Sequence, residues 1–287
     1  MTKEQQYTVP MPKGGEIVLH RLLPAGGNAV GLPVVVAHGT LSNADAVRDL
    51  AVHLLSFGFD CWLLEWGGHG QSTPYSKWQN FEYPAFNDVP ICIETVLAES
   101  GHKALYWVSH SGGGHLPLMH LVQNPQEHHK VAGIATIGSQ STKAALSIQH
   151  KLRAYVLRIV SNLFGGIPQR LIPMGTVEGE PTRLLDQWAK WNLQQKWVGD
   201  DGTDYLASLV NLTMPFFMIA GGNDDIAPAA GCFDVFQQFG GDDKTWLECS
   251  REAGFSKDYN HGQLVRGGAA KQEIFPKISD WLLVRNT

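Results

Sequence analysis

The stretch Ala104-Leu105-Tyr106-Trp107-Val108-Ser109-His110-Ser111-Gly112-Gly113-Gly114 decides how this chain is read. An apolar, β-branched and aromatic run, Ala104 to Val108, leads directly into a serine set among small residues. His115 to Gln123, with Leu116, Met119 and Leu121, continues it at helical spacing. Ser109 two residues before the serine and Gly113 two after leave room for a sharp, strained turn, where larger side chains would meet neighbouring strands. Such a turn lifts the Ser111 hydroxyl clear of a sheet edge and points the N-terminus of the next helix at it. Ser111 is therefore the candidate nucleophile and the Gly112 N–H a candidate oxyanion donor. Taken alone, a glycine-rich turn of this kind also serves to reverse the chain or to hold phosphate.

Outward from the turn, similar runs recur at Glu16–Leu23, Pro33–Ala37, Asp60–Leu64, Val131–Ile137, Pro215–Ala220 and Lys244–Cys249. Segments of helical period lie between several of them, at Ala44–Phe57, Phe86–Glu99, His115–Gln123 and Ala229–Phe239. Strand alternating with helix predicts an α/β fold with a mostly parallel sheet covered on both faces. The alternation fails between Ser141 and Leu212. There Leu146, Leu152, Tyr155, Val156, Ile159, Val160 and Leu163 predict one helix, ended by Gly165 and Gly166, and a second starts near Pro181 with Leu184, Leu185, Trp188, Trp191 and Trp197 on it or just past it. The expected organisation is a core of residues 1–140 and 211–287 with a helical cap insertion at 141–210. The alternative is that this segment is ordinary sheet-covering structure and its tryptophans are core.

A serine hydroxyl is a weak nucleophile at neutral pH, so Ser111 requires a histidine base and an acid to orient that base. Of 12 histidines, His261 is the one that follows His150, and it lies in the polar loop Asp258-Tyr259-Asn260-His261-Gly262 after the last predicted strand. The acid comes from Gly221-Gly222-Asn223-Asp224-Asp225-Ile226-Ala227-Pro228, at the end of the strand before it. Asp224 is favoured because it can fold back toward the strand end, with Asp225 as the alternative; paired aspartates in loops also act simply as turn formers. The order Ser111, Asp224, His261 belongs to one particular fold. A second oxyanion donor is expected from Thr40, whose N–H follows Val34-Val35-Val36-Ala37-His38-Gly39 and could meet that of Gly112 across a carbonyl oxygen. The loop Glu65 to Ser72 reads as structural support, and His69 has no chemical role assigned.

Composition sets outer limits. The 287 residues are 44% apolar and 17% charged, which suits one large buried core and not disorder. A formal net charge of −5 shows no basic footprint for nucleic acid or an anionic membrane. Cys61, Cys92, Cys232 and Cys249 are too scattered for a disulfide framework or a zinc site, so no metal is expected. Met1 to Pro10 lacks a basic-then-apolar leader, and no apolar run reaches about 18 residues, so a cytoplasmic protein with no integral membrane segment is expected.

Together, His38-Gly39-Thr40, Ser109-His110-Ser111-Gly112-Gly113, Gly221 to Pro228 and Asp258 to Gly262 resemble the α/β-hydrolase superfamily over nearly the whole chain outside the insertion. Gly58-Phe59-Asp60-Cys61-Trp62-Leu63, Asn87-Asp88-Val89-Pro90 and the Tyr-Asn-His of the last loop look more narrowly like acid lipases and related esterases. The resemblance implies a sheet of about eight strands, a Ser111–His261–Asp224 triad, no cofactor, and a cap that sets substrate choice. The chain departs from the family pattern at Ser109, where glycine is usual, at Gly67, where many members have arginine, and at Pro117, which should cost a bond or kink the helix after the nucleophile. The expected activity is hydrolysis of small-molecule carboxylic esters with an apolar acyl group. A thioesterase, an amidase, a cofactor-free haloperoxidase or a non-catalytic ligand-binding homologue would carry the same residues.

Overall fold

In the computed structural model of the chain, residues 3–24, 26–27, 29–76, 79–167 and 179–286 are described. The chain opens with β1 (Lys3–Pro10), β2 (Glu16–Leu23), β3 (Val34–Ala37), α1 (Asp45–Ser56), β4 (Cys61–Glu65) and α2 (Glu82–Ser100). Next come β5 (Leu105–His110), a 3₁₀ turn at Ser111–Gly114, α3 (His115–Gln123) and β6 (Val131–Ile137). The segment between β6 and the following sheet strand holds α4 (Ile148–Phe164), the two-residue strands β7 (Gly166–Ile167) and β8 (Glu180–Pro181), α5 (Thr182–Gln194) and the short α6 (Tyr205–Ser208). The chain then returns through β9 (Phe216–Gly221), α7 (Ala229–Gln238), β10 (Lys244–Cys249), α8 (Gly268–Glu273) and α9 (Phe275–Leu283). Residues 168–178 of the expected insertion lie outside the described residues. No helix among the described residues is long and apolar enough to cross a membrane.

Eight strands form one sheet in the order β1-β2-β4-β3-β5-β6-β9-β10. The pairs β1/β2 and β2/β4 are antiparallel, and every pair from β4 to β10 is parallel. Alternate residues of a strand face opposite sides, and the core divides accordingly. Val35, Ala37, Trp62, Leu64 and Trp107 join the cluster covered by α2, α3 and α7. Val34, Val36, Cys61, Leu63, Tyr106 and Val108 join the one covered by α1, α8 and α9. Fully burying aliphatic side chains like those of β3 contributes roughly 1.5–3 kcal/mol each, which is why runs without alternation read as central strands.

The N-terminal strand β1 and the C-terminal helices α8 and α9 were outside the expectation from sequence. The residues of β1, Lys-Glu-Gln-Gln-Tyr-Thr-Val-Pro, form an edge strand paired Lys3↔Leu23 through Pro10↔Glu16. Only Tyr7 and Val9 lean on the core. Helix α2 starts at Glu82, four residues before the apolar period becomes visible. Pro117 is the third residue of α3, in the first turn, where a backbone N–H has no intrahelical acceptor to lose. The turn that precedes the helix, Ser111–Gly114, is 3₁₀.

Candidate active site

Parallel strands deliver their C-terminal ends to one rim of the sheet, and the loops after β3, β5, β9 and β10 meet there. At the end of β5, Ser111 takes φ +54°, a left-handed conformation that costs an L-residue energy and is kept where surroundings impose it. Those surroundings are close. A Cβ added at Gly113 would lie 2.2 Å from the His38 carbonyl oxygen, and one at Gly112 would lie 2.6 Å from Thr40 Cγ2 and 3.2 Å from Thr40 N. Ser139 Oγ donates to the Ser111 carbonyl at 2.8 Å and supports the turn from below. Ser109 is buried, with its Oγ 3.5 Å from the Ala135 carbonyl, so serine is small enough where the family has glycine.

The structure brings Ser111, His261 and Asp224 together. His261 Nδ1 lies 2.7 Å from Asp224 Oδ2, and His261 Nε2 lies 2.8 Å from Ser111 Oγ. A carboxylate only accepts, so Nδ1 carries the proton and Nε2 is left to accept from the Ser111 hydroxyl. Asp224 Oδ1 accepts from the N–H groups of Ile226 at 2.9 Å and Ala227 at 2.7 Å. Burial works to raise the Asp224 pKa, but the hydrogen bond and charge of His261 and the two N–H donors outweigh it and hold it below the ordinary carboxylate value. Asp225 is exposed and takes no part in this contact. Thr40 N–H has no protein acceptor among the described residues and sits beside Gly112.

Other histidines near the site are structural in kind. Burial, with the charge of His261 next, pulls His110 down to about 3; the ring is therefore neutral and its Nε2–H donates to the His261 carbonyl at 3.2 Å. It ties the loop of one candidate residue to the turn of another. His115, drawn down to about 4 by burial, meets the carbonyls of Gly112 and Gln140 through its two ring nitrogens. Neither role was legible from spacing, because both depend on which carbonyl the fold brings near. Gly67 also has a reason: a Cβ there would lie 2.0 Å from the Tyr75 ring. Tyr75 donates to Asp88, which also accepts from Gly67 N–H at 2.7 Å, so Tyr75 fills the place an arginine side chain would need.

Over the rim lies a cavity of about 200 Å³, reached by Thr40, Ser111 and Gly112 and walled by Phe81, Leu184, Trp188 and Ile226. Trp191 and Trp197 are buried; Trp191 stacks on Phe81, and Trp197 meets the His115 ring edge-on.

Residues 31–250 match the family described as serine aminopeptidase, S33 (Hydrolase_4), well over half of the chain. Over 182 residues the chain is 28% identical to lipase member K of Homo sapiens, a stretch that takes in 56% of this chain and 45% of that protein. It is also 28% identical over 140 residues to lipase 3 of Drosophila melanogaster, at 42% of this chain and 36% of that one. The chain thus spans less than half the length of these curated relatives. Among solved structures, a soluble variant of Saccharomyces cerevisiae monoglyceride lipase superposes with TM-score 0.72 at 17% identity, over 94% of this chain and 93% of that one. A monoacylglycerol lipase of Paleococcus ferrophilus gives TM-score 0.63 at 17% identity, over 99% of both chains. At such identities the structures establish the fold, and the family match establishes the lineage: this chain is a member of the serine aminopeptidase S33 family of α/β-hydrolases.

Proposed function

We propose that the protein is a serine hydrolase that cleaves carboxylic esters with an apolar acyl group, through Ser111, His261 and Asp224. The observation that carries the reading is the unbroken chain of contacts from Ser111 Oγ through the His261 ring to Asp224, at 2.8 and 2.7 Å. Ser111 Oγ attacks the carbonyl carbon as its proton passes to His261 Nε2, and Asp224 steadies the imidazolium that forms. The oxyanion is held by the N–H groups of Thr40 and Gly112. The alcohol departs with the proton from His261. Water, deprotonated by the same nitrogen, then releases the acid from the acyl-enzyme.

Residues 141–210 act in this reading as the cap that selects substrate. Leu157 of α4 and Leu184, Leu185 and Trp188 of α5 supply an apolar wall over the nucleophile. The family description and the lipase relatives point to different bonds, and the cavity favours the ester. Among the described residues its lining includes no carboxylate to receive a peptide's α-ammonium group, whereas an alkyl chain would meet Phe81, Leu157, Leu184, Leu185, Trp188 and Ile226. The test is a series of p-nitrophenyl esters from acetyl to octanoyl run with the protein and with Ser111→Ala. Expected is a kcat/KM that rises with chain length, and a loss of about 10⁴-fold or more in the variant. A flat or falling series removes the acyl assignment; a variant that keeps most of its activity removes the nucleophile.

A further inference from the structure

The oxyanion loop is tied from two directions. Gly39 O accepts from His38 Nδ1 at 2.8 Å and from Ser42 Oγ at 3.0 Å, both within the loop itself. The next tie comes from the far side of the site: Leu41 N–H donates to Glu180 Oε1 at 2.6 Å. The same oxygen lies 2.8 Å from His69 Nε2, and both side chains are completely buried. His69 Nδ1 faces the carbonyls of Gly67 at 3.1 Å and Trp66 at 3.3 Å. Burial works to lower the His69 pKa, but the charge and hydrogen bond of Glu180 and the two carbonyls outweigh it and raise it, favouring the charged ring beside Glu180. Leu41 itself stands at φ +57°, a left-handed conformation that a leucine leaves unless it is held. It directly follows Thr40.

We propose that Glu180 is a positioning residue: with His69 it holds Leu41 in the left-handed conformation and so aims the Thr40 N–H at the developing oxyanion. This rests on the serine-hydrolase reading above. Glu180 lies in β8, two residues before the first residue of α5, and Leu184, Leu185 and Trp188 of that helix line the cavity. The carboxylate that sets the oxyanion loop therefore stands on the short strand that leads directly into the helix facing the acyl group. Acyl recognition and transition-state stabilisation are thereby adjacent along the chain, four residues apart from Glu180 to Leu184.

A buried pair that served the fold alone would not distinguish ground state from transition state. An alkyl trifluoromethyl ketone makes that distinction: Ser111 Oγ bonds to its carbonyl carbon, the C=O π pair becomes the oxyanion, and the hydroxyl proton moves to His261 Nε2. The matching trifluoromethyl alcohol offers no carbonyl to add to. In the full chain, Glu180→Ala is expected to lower kcat on an octanoyl ester by about 10- to 100-fold with KM within about twofold. It should weaken the ketone by a similar factor and leave the alcohol unchanged. Glu180→Gln, which keeps an acceptor for Leu41 N–H but not the charge, should lose only about three- to tenfold. Wild-type kcat in Glu180→Ala, or equal weakening of ketone and alcohol, overturns the proposal. Should Glu180→Ala not fold, Glu180→Gln decides by the same comparison, and wild-type kcat there overturns it. A native protein that neither hydrolyses the ester nor binds the ketone through Ser111 would instead overturn the parent reading, so the two failures are distinguishable.

Discussion

The turn that carries Ser111 and the helix that lies over it are specified in opposite ways. Every residue from Leu105 to Leu121 is buried, and the glycines of the turn stand against a carbonyl or a side chain that leaves no room for a Cβ. On α4, by contrast, Ala154 and Ser161 are the buried residues, while Ile148 is 86% and Leu163 75% exposed. That helix is held by packing on α5, by Arg158 Nε donating to Asp186 at 2.6 Å and by Thr182 Oγ1 donating to the Ser161 carbonyl at 2.9 Å. The candidate nucleophile thus sits where one atom too many is felt, and the proposed acyl wall belongs to a layer whose outer face is exposed.

Mutations sharpen or break that contrast in order of expected effect. Asp224→Asn should lower kcat by about 10³- to 10⁴-fold, because the amide favours the wrong imidazole tautomer, while Asp225→Asn stays within about twofold. Steady-state kinetics on both variants check it; comparable losses would mean that the acid is misassigned. Gly113→Ala places a methyl 2.2 Å from the His38 carbonyl and should destabilise the fold by about 1–3 kcal/mol in chemical denaturation while lowering activity. A neutral result would show that the turn is looser than its contacts imply.

A pH experiment probes the support behind the rim. Burial raises the Asp88 carboxyl to about 7, against the hydrogen bonds from Tyr75 and Gly67 that favour its charged form. Its pKa is higher folded than unfolded, so this group stabilises fully below its unfolded value of about 4. That contribution is lost as pH rises toward about 7. Thermal melts at pH 5 and pH 8 should show a drop for the wild type that is smaller in Asp88→Asn; equal drops would count against it. In the insertion, Trp188→Ala should lower the octanoyl-to-acetyl ratio of kcat/KM by about tenfold and change the acetyl rate little. Smallest of all, Leu163→Ser on the exposed face of α4 should move stability by about 0.5 kcal/mol or less.

How much was legible follows the same division. Central strands were readable because burial on both faces writes a continuous apolar run, as in Val34 to Ala37. The candidate triad residues were readable because each stands in a loop directly after, or shortly beyond, such a strand and their order along the chain is characteristic. Strand β1 was not, since an edge strand with one solvated face carries Lys3, Glu4, Gln5 and Gln6. The apolar spacing on α4 marked a helix, yet Leu152, Ile159 and Leu163 turned out to face outward, because periodicity reports a face without saying what it meets. Glu180 had no sequence signal at all. Its importance comes from a distance of 139 residues along the chain to Leu41 that only the folded molecule closes.

The most direct test of the account is titration of the purified protein with a fluorophosphonate, following ester hydrolysis and locating the label by peptide mass spectrometry. The prediction is a single modification at Ser111, with activity falling in proportion and reaching zero near one equivalent. Hydrolysis that continues in fully labelled protein, or a label on any other residue that abolishes activity, would contradict it.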